Sequence, residues 1–277
     1  MEHKIKMIAL DLDGTTLKDE NNFSQRTIDT LSKATEKGIH VVISTGRTFK
    51  SLPEQLFDIK GIEYVITSNG AHITRLEDRE IIYENIIGPE AVERVVETIG
   101  KTHYTMEAFV DGTAYMTGWI YDDIKENGST YRDAKYVVET RHKVDDIFNY
   151  TLNNKHQIEN ISITFPTQED RRLIMSMIEY IPDITITSSF DYNIEIGGAT
   201  TSKGEALKHL MKEVGVTPKE LMAAGDSPND LAMIRLAGLG VAVANAKDEV
   251  KREAQYITDP HYEDGVAKAI ELKVLNL

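Results

Sequence analysis

Up to Gly70 the chain alternates short apolar runs with stretches whose apolar positions recur at helical spacing. "KIKMIAL" is an apolar run bounded by turn residues, the pattern of a strand buried on both faces. Ser24 is placed to cap a helix carrying Ile28, Leu31 and Ala34 on one face, and Gly38 stands where a C-terminal cap belongs. "IHVVIST" and "EYVITSN" read as a second and a third buried strand, with a helix of about ten residues expected between them. Strands separated by helices imply right-handed crossovers and a parallel sheet.

The pattern then changes. "AHITRLEDREIIYEN" reads as two strands around a turn, and "GPEAVERVVETIG" as a helix with Pro89 in its first turn and Gly100 at its end. Asp111-Gly112 in "MEAFVDGTAYM" is a hairpin signal. "IENISITF", a helix near Gln168 to Tyr180, and "ITITSSF" follow. Strands joined by turns indicate an antiparallel sheet with helices on one face. From about Ile194 the strand–helix alternation resumes. The expected fold is α/β: a Rossmann-like parallel-sheet core with helices on both faces, formed by residues 1–84 and 190–277, and an inserted α+β cap domain over 85–189.

A chain of 277 residues with 41% hydrophobic and 27% charged residues is long enough to bury such a core. There is no cysteine, which excludes disulfides and thiolate metal sites and fits a reducing, cytoplasmic setting. No stretch reaches the roughly 20 apolar residues of a membrane span. A net charge of −14 without a basic run argues against nucleic-acid binding but leaves room for a local phosphate site.

Four short motifs carry candidate chemistry. In "MIALDLDGTTL", Asp11 and Asp13 are two apart, so both can project from one side of a strand's carboxyl end, where open α/β sheets bind ligands. A calcium loop fails, because its sixth and twelfth positions are Thr16 and Asn22; a solvated polar turn is the plain alternative. In "VVISTGRT", the Ser44 and Thr45 hydroxyls, Gly46 and Arg47 could cradle a phosphate or merely cap a helix. "ATTSKGEAL" puts Lys203 at a helix start, unfavourable for the helix dipole unless negative charge lies nearby. "MAAGDSPNDLAMI" ends a strand in Gly225-Asp226, with Asn229 and Asp230 opening a helix, which is also what an ordinary cap looks like.

Other patterns fall away. Gly100 to Thr102 lacks the upstream glycine of a P-loop, since position 95 is Val95. "GLGVAV" precedes a strand and not a helix, and the eight histidines show no ligand spacing. Tyr115, Trp119 and Tyr121 read as core or hairpin packing.

Jointly, each motif lies at or just after the carboxyl end of a parallel strand, which gathers Asp11, Asp13, Asp226 and Asp230 beside one lysine. Two carboxylates ~4 Å apart repel by roughly 4 kcal/mol at an effective dielectric near 20. Four together call for a cation, and an all-oxygen donor set points to Mg²⁺ over zinc or copper.

In order and spacing, "DLDGTTL", "STGR", "TTSKGEAL" and "GDSPNDLAMI", with "SNGA" and "NAKDEV", resemble the haloacid dehalogenase superfamily, specifically its Cof-type sugar-phosphatase branch (subclass IIB). The resemblance spans the whole chain; one departure is "VAVANA" with Ala244 where relatives carry glycine. It implies a Mg²⁺-dependent phosphatase of small phosphorylated metabolites acting through an aspartyl-phosphate. Asp11 would be the nucleophile and Asp13 the general acid and base. Mg²⁺ would be held by Asp11, the Asp13 carbonyl and Asp226, with Asp230 in support. Ser44 or Thr45, Gly46, the Leu12 backbone N–H, Asn229 and Lys203 would bind the phosphoryl group, with Arg47 reaching the substrate. The insert would close over the cleft and set specificity, with Tyr115, Trp119 and Arg132 as candidate contacts.

Aspartate at position 13, where the superfamily's ion-pumping ATPases carry threonine, favours a phosphatase or a phosphomutase. The alternatives are a phosphomutase dependent on a bisphosphate, or a phosphometabolite-binding regulatory protein. The implied partner is a small phosphorylated metabolite, with no nucleic acid or membrane, in a monomer or small homo-oligomer.

Overall fold

The apolar run before Asp11 forms β1 (Met7–Leu10), fully buried at the middle of a sheet. The computed structural model describes residues 4–19, 21–129 and 133–277; Arg132 lies outside the described residues. The chain divides into two compact units. One comprises the segment ending at Gly46, Leu52–Glu84 and Ser202–Leu277; the other comprises Arg47–Ser51 and Asn85–Thr201.

In the first unit β1 lies beside β2 (His40–Ser44), followed outward by β3 (Ile62–Thr67), β4 (His72–Arg75) and β5 (Ile81–Glu84). The strands of the second unit are β6 (Met106–Val110), β7 (Thr113–Thr117), β8 (Arg141–Val144), β9 (Ile158–Thr164), β10 (Ile184–Thr187) and β11 (Asn193–Gly198). The chain then returns to the first unit as β12 (Leu221–Gly225), β13 (Leu239–Ala242) and β14 (Tyr256–Ile257). Among the described residues these give an eight-stranded sheet, ordered β14-β13-β12-β1-β2-β3-β4-β5, and a six-stranded one.

The eight-stranded sheet is parallel from β14 to β3, and β4 and β5 pair antiparallel at its edge. Alternation along β1 sends Met7 and Ala9 into a core with Leu207 and Leu210 of the helix Lys203–Val214. On the other face the helix Gln25–Glu36 packs against β2 and the helix Gly265–Ile270. Ser24 caps the first of these by accepting from Thr27 N–H. Helices therefore cover both faces, as the α/β reading requires.

Register is what positions the site. Leu10 pairs with Ala224 on one side and with Ile43 on the other. Asp11, Ser44 and the Gly225–Asp226 corner consequently leave the sheet at one level of its carboxyl edge, where the strand order diverges from β1.

In the second unit the order is β10-β11-β9-β6-β7-β8. One face buries Met106, Ala108, Ile161, Ile163, Ile194 and Ile196 against the helices Pro89–Ile99 and Gln168–Ile178. Asp111 and Gly112 adopt the two positive φ values (49° and 68°) of a tight hairpin between β6 and β7.

Four features differ from the sequence reading. No α-helix joins β2 to β3; the link holds two 3₁₀ turns, Phe49–Ser51 and Glu54–Asp58. Pro53, at ψ 135°, interrupts the run, and a residue before proline is held out of helical geometry. The second unit continues to Thr201, beyond the expected limit at 189, because β11 pairs with β9 and β10. β8 pairs parallel with β7, a strand that the sequence pattern does not signal. Trp119 is 72% exposed and packs in no core, whereas Tyr115 packs against the apolar cluster of its unit and Tyr121 donates to Val138 O. No helix among the described residues is long and apolar enough to cross a membrane.

Candidate active site

Asp11 follows β1 and is buried, its N–H tied to Ala224 O at 3.0 Å and its carbonyl to Thr16 Oγ1 at 2.6 Å. The chain then turns through residues 12–16, with Gly14 at φ +71°. A Cβ on Gly14 would sit 2.9 Å from Asp226 Oδ2, so this position needs glycine twice over. Asn245 Nδ2 holds the Gly14 carbonyl at 2.8 Å. Leu12 is buried, whereas Asp13 is exposed on the same turn, near enough to add to the charge felt by Asp11.

Lys203 opens its helix with no exposed surface. Its ammonium donates to Asp11 Oδ1 and to Asp230 Oδ1, each at 2.6 Å. Those carboxylates explain why a lysine is tolerated in a first helical turn. Asp230 Oδ2 accepts from the backbone N–H groups of Asp226 (2.9 Å) and Ser227 (3.0 Å), so Asp230 commits both oxygens to protein donors. Gly225 makes this possible, since a Cβ there would lie 2.4 Å from Asp230 Cβ. Asp226 accepts from Thr15 Oγ1 and Ser227 Oγ, both at 3.0 Å.

Carboxylate oxygens of Asp11, Asp226 and Asp230 lie within 4.8 Å of one another. Burial raises Asp11 well above the usual carboxylate range; Lys203 opposes the shift, and Asp230, Asp226 and Asp13 reinforce it. Asp226 is pushed up to about 7 by burial and then by Asp230, against the hydroxyls of Ser227 and Thr15. Burial works against the Lys203 ammonium, but Asp11 and Asp230 outweigh it and raise its pKa. One lysine thus faces three carboxylates. An all-oxygen cluster in which Asp11 and Asp226 resist ionisation when left to themselves is chemically suited to a hard dication, Asp226 being held only by neutral hydroxyl donors.

Beside this cluster, Ser44 is fully buried and its Oγ has no partner among the described residues. Thr45 is fixed through its backbone to Ile66 O (2.9 Å) and Asn69 N (3.0 Å). Gly46 lets Asn69 approach: a Cβ there would be 3.1 Å from Asn69 Oδ1. That oxygen accepts from Asn229 Nδ2 at 3.0 Å, while Asn229 Oδ1 is buried without a partner among the described residues. Two buried polar atoms without partners, Ser44 Oγ and Asn229 Oδ1, are consistent with a ligand supplying the missing groups.

Asp11, Leu12, Asp13, Ser44, Thr45, Gly46, Lys203, Asn229, Asp226 and Asp230 all belong to the first unit. Arg47 falls in the second, where its guanidinium stands 4.7 Å over the Tyr136 ring and donates to Ser51 O at 3.1 Å. Thr15, Asn69 and Ser227 carry no charge and no distinctive spacing that singles them out in the sequence. Asn69, at φ 58°, was signalled only by the Asn-Gly pair of "SNGA".

A family model of haloacid dehalogenase-like hydrolases matches residues 8–270. Among curated proteins, the 5-amino-6-(5-phospho-D-ribitylamino)uracil phosphatase YcsE of Bacillus subtilis is 32% identical over 271 residues, covering 98% of this chain and 96% of the relative. Phosphatase YwpJ of the same organism is 30% identical over 281 residues, covering 95% and 98%. A haloacid dehalogenase-like hydrolase structure from B. subtilis superimposes with a TM-score of 0.83 at 28% identity, over 96% of this chain and 99% of that one. The subclass IIB sugar phosphatase BT4131 gives 0.79 at 25% identity, over 96% and 98%.

Proposed function

As a member of the haloacid dehalogenase-like hydrolases, in their subclass IIB sugar-phosphatase branch, the chain is a phosphatase, and we propose that it hydrolyses small phosphorylated metabolites with Mg²⁺ through an aspartyl-phosphate. The observation that carries the reading is Lys203 bridging Asp11 and Asp230 inside the acidic cluster, with Asp13 on the same turn as Asp11.

Asp11 attacks phosphorus through a carboxylate oxygen. The phosphorus–oxygen bond to the organic group breaks, and Asp13 delivers a proton to the departing alkoxide. Asp13 then takes a proton from water, whose oxygen attacks the phosphoryl-enzyme, releasing phosphate and regenerating Asp11. Lys203 orients the Asp11 carboxylate and offsets charge as the phosphoryl group arrives. Ser44 or Thr45, Gly46, the Leu12 N–H and Asn229 hold phosphoryl oxygens, and Arg47 contacts the substrate. Mg²⁺, held by Asp11, the Asp13 carbonyl and Asp226 with Asp230 behind them, would neutralise phosphoryl charge when bound. Asp13 supplies a factor of about 10²–10⁴, so most of the acceleration falls to charge stabilisation.

In this reading the second unit is the cap that excludes water and contacts the organic part of the substrate. The test is phosphate release from a panel of sugar phosphates, nucleotides and other phosphomonoesters, with Mg²⁺ or chelator, by the wild type and Asp11→Asn. Turnover that needs Mg²⁺ and is abolished in the variant supports it. Absence of release from every substrate contradicts it and directs attention to mutase assays with a bisphosphate primer.

A further inference from the structure

The stretch "NAKDEV" supplies no group to the chemistry above, yet its loop touches the active-site turn. Asn245 Nδ2 donates to Gly14 O at 2.8 Å, and Asn245 Oδ1 accepts from His261 N–H at 2.9 Å. Together these bonds fix which way round the amide lies, since a flipped amide would set oxygen against the Gly14 carbonyl. Two residues on, Lys247 N–H donates to Asp226 O at 2.9 Å, so one loop holds both the turn and the Asp226 corner.

His261 holds the same turn at its far end, with Nδ1 2.8 Å from Leu17 O. A carbonyl only accepts, so Nδ1 carries a proton and donates it. The histidine belongs to a closed turn. Glu263 N–H donates to Pro260 O at 3.0 Å, Asp264 N–H to His261 O at 3.1 Å, and Thr258 Oγ1 to Gly265 O at 2.7 Å.

The active-site turn needs such a brace. Asp13 (ψ 123°) and Gly14 (φ +71°) depart from helical geometry inside it, so no regular helical ladder fixes their peptide planes. The nearness of Asp226 requires glycine at position 14, yet glycine restrains the backbone least. Asp13, one residue earlier, transfers protons only over hydrogen-bond distance. Asn245 is exposed, so water replaces its partners when it is removed and little stability goes with it. What goes is the direction of the Gly14 carbonyl.

We propose that Asn245 and His261 are positioning residues that act through Asp13, holding the turn so that its carboxyl meets the leaving oxygen. This rests on the phosphatase reading above. It adds to that reading the residues that place the general acid.

The test uses leaving groups that differ in their need for a proton. Glucose 6-phosphate releases an alkoxide, which Asp13 must protonate, whereas p-nitrophenyl phosphate releases a phenolate that is stable as it leaves. With Mg²⁺, the ratio of kcat/KM for the first to that for the second should fall about tenfold in Asn245→Ala and in His261→Ala. His261→Asn, which keeps a side-chain N–H near the Nδ1 position, should recover most of the ratio. Tm should change little in Asn245→Ala. Asp13→Asn should lower the ratio further, and adding Asn245→Ala to it should lower it no more, because both act through one carboxyl. An equal loss on both substrates, an unchanged ratio, or additive losses in the double variant overturn the proposal. If the wild type hydrolyses no phosphomonoester, the phosphatase reading fails by itself, and amide hydrogen exchange decides. Faster exchange at Leu17 N–H, which is bonded to Leu12 O, in Asn245→Ala at unchanged Tm supports the brace; exchange at the wild-type rate overturns it.

Discussion

Lys203 donates to Asp11 Oδ1 at 2.6 Å from a position with no exposed surface, so the ammonium has no water to fall back on. Removing it leaves two buried carboxylates facing each other. Lys203→Met should therefore destabilise the protein by about 3–5 kcal/mol, the range for breaking one side of a buried ion pair. It should also abolish phosphate release. Urea denaturation and a phosphate assay check both. Wild-type stability in this variant would mean that Asp11 and Asp230 do not need the charge.

Asp226 gives a pH prediction. Its folded pKa, about 7, lies above the ordinary value of 3.8. A carboxyl raised on folding binds its proton more tightly in the native state, so stability is greatest below the unfolded pKa and declines as pH rises toward 7. The chelated protein should lose Tm between about pH 4 and about pH 7, and Asp226→Asn should flatten that loss. Mg²⁺ should restore Tm most at the upper end, where the carboxylate is ionised. An equal Mg²⁺ effect at both pH values would contradict the assignment of Asp226 to the cation.

Gly14→Ala should be a functional more than a structural lesion. The left-handed φ costs about 1–2 kcal/mol. The new Cβ, 2.9 Å from Asp226 Oδ2, would displace that carboxylate. A rise in the Mg²⁺ concentration needed for half-maximal activity, with a modest loss of Tm, is the expected outcome, read by a metal titration and a thermal melt.

Much of the site was legible because its residues lie beside strands with strong local patterns. Asp11, Ser44 and Asp226 each end an apolar run, and parallel register brings run ends together. What stayed illegible depends on partners remote in sequence. "NIEIGG" is as apolar as a core strand, so the sequence placed the return to the core before β11, whereas pairing with β9 keeps it in the second unit. The parallel β7–β8 pair had no turn signal, its strands being separated by the helices Gly118–Asn127 and Ala134–Thr140. Hydrophobicity alone suggests packing for Trp119, yet its helix buries no residue. Between β2 and β3, Pro53 is the one residue in the sequence that argues against a continuous helix.

In the proposed mechanism Asp11 becomes phosphorylated and Asp13 moves the protons. Asp13→Asn should slow release of phosphate by about 10²–10⁴. The most direct measurement is to quench Asp13→Asn during turnover of a good substrate and locate any phosphoryl group by peptide mass spectrometry. Phosphate is expected on Asp11 of that variant, and none when Asp11→Asn is added. An unmodified Asp11 alongside continued phosphate release would contradict it, since water would then be attacking the substrate directly.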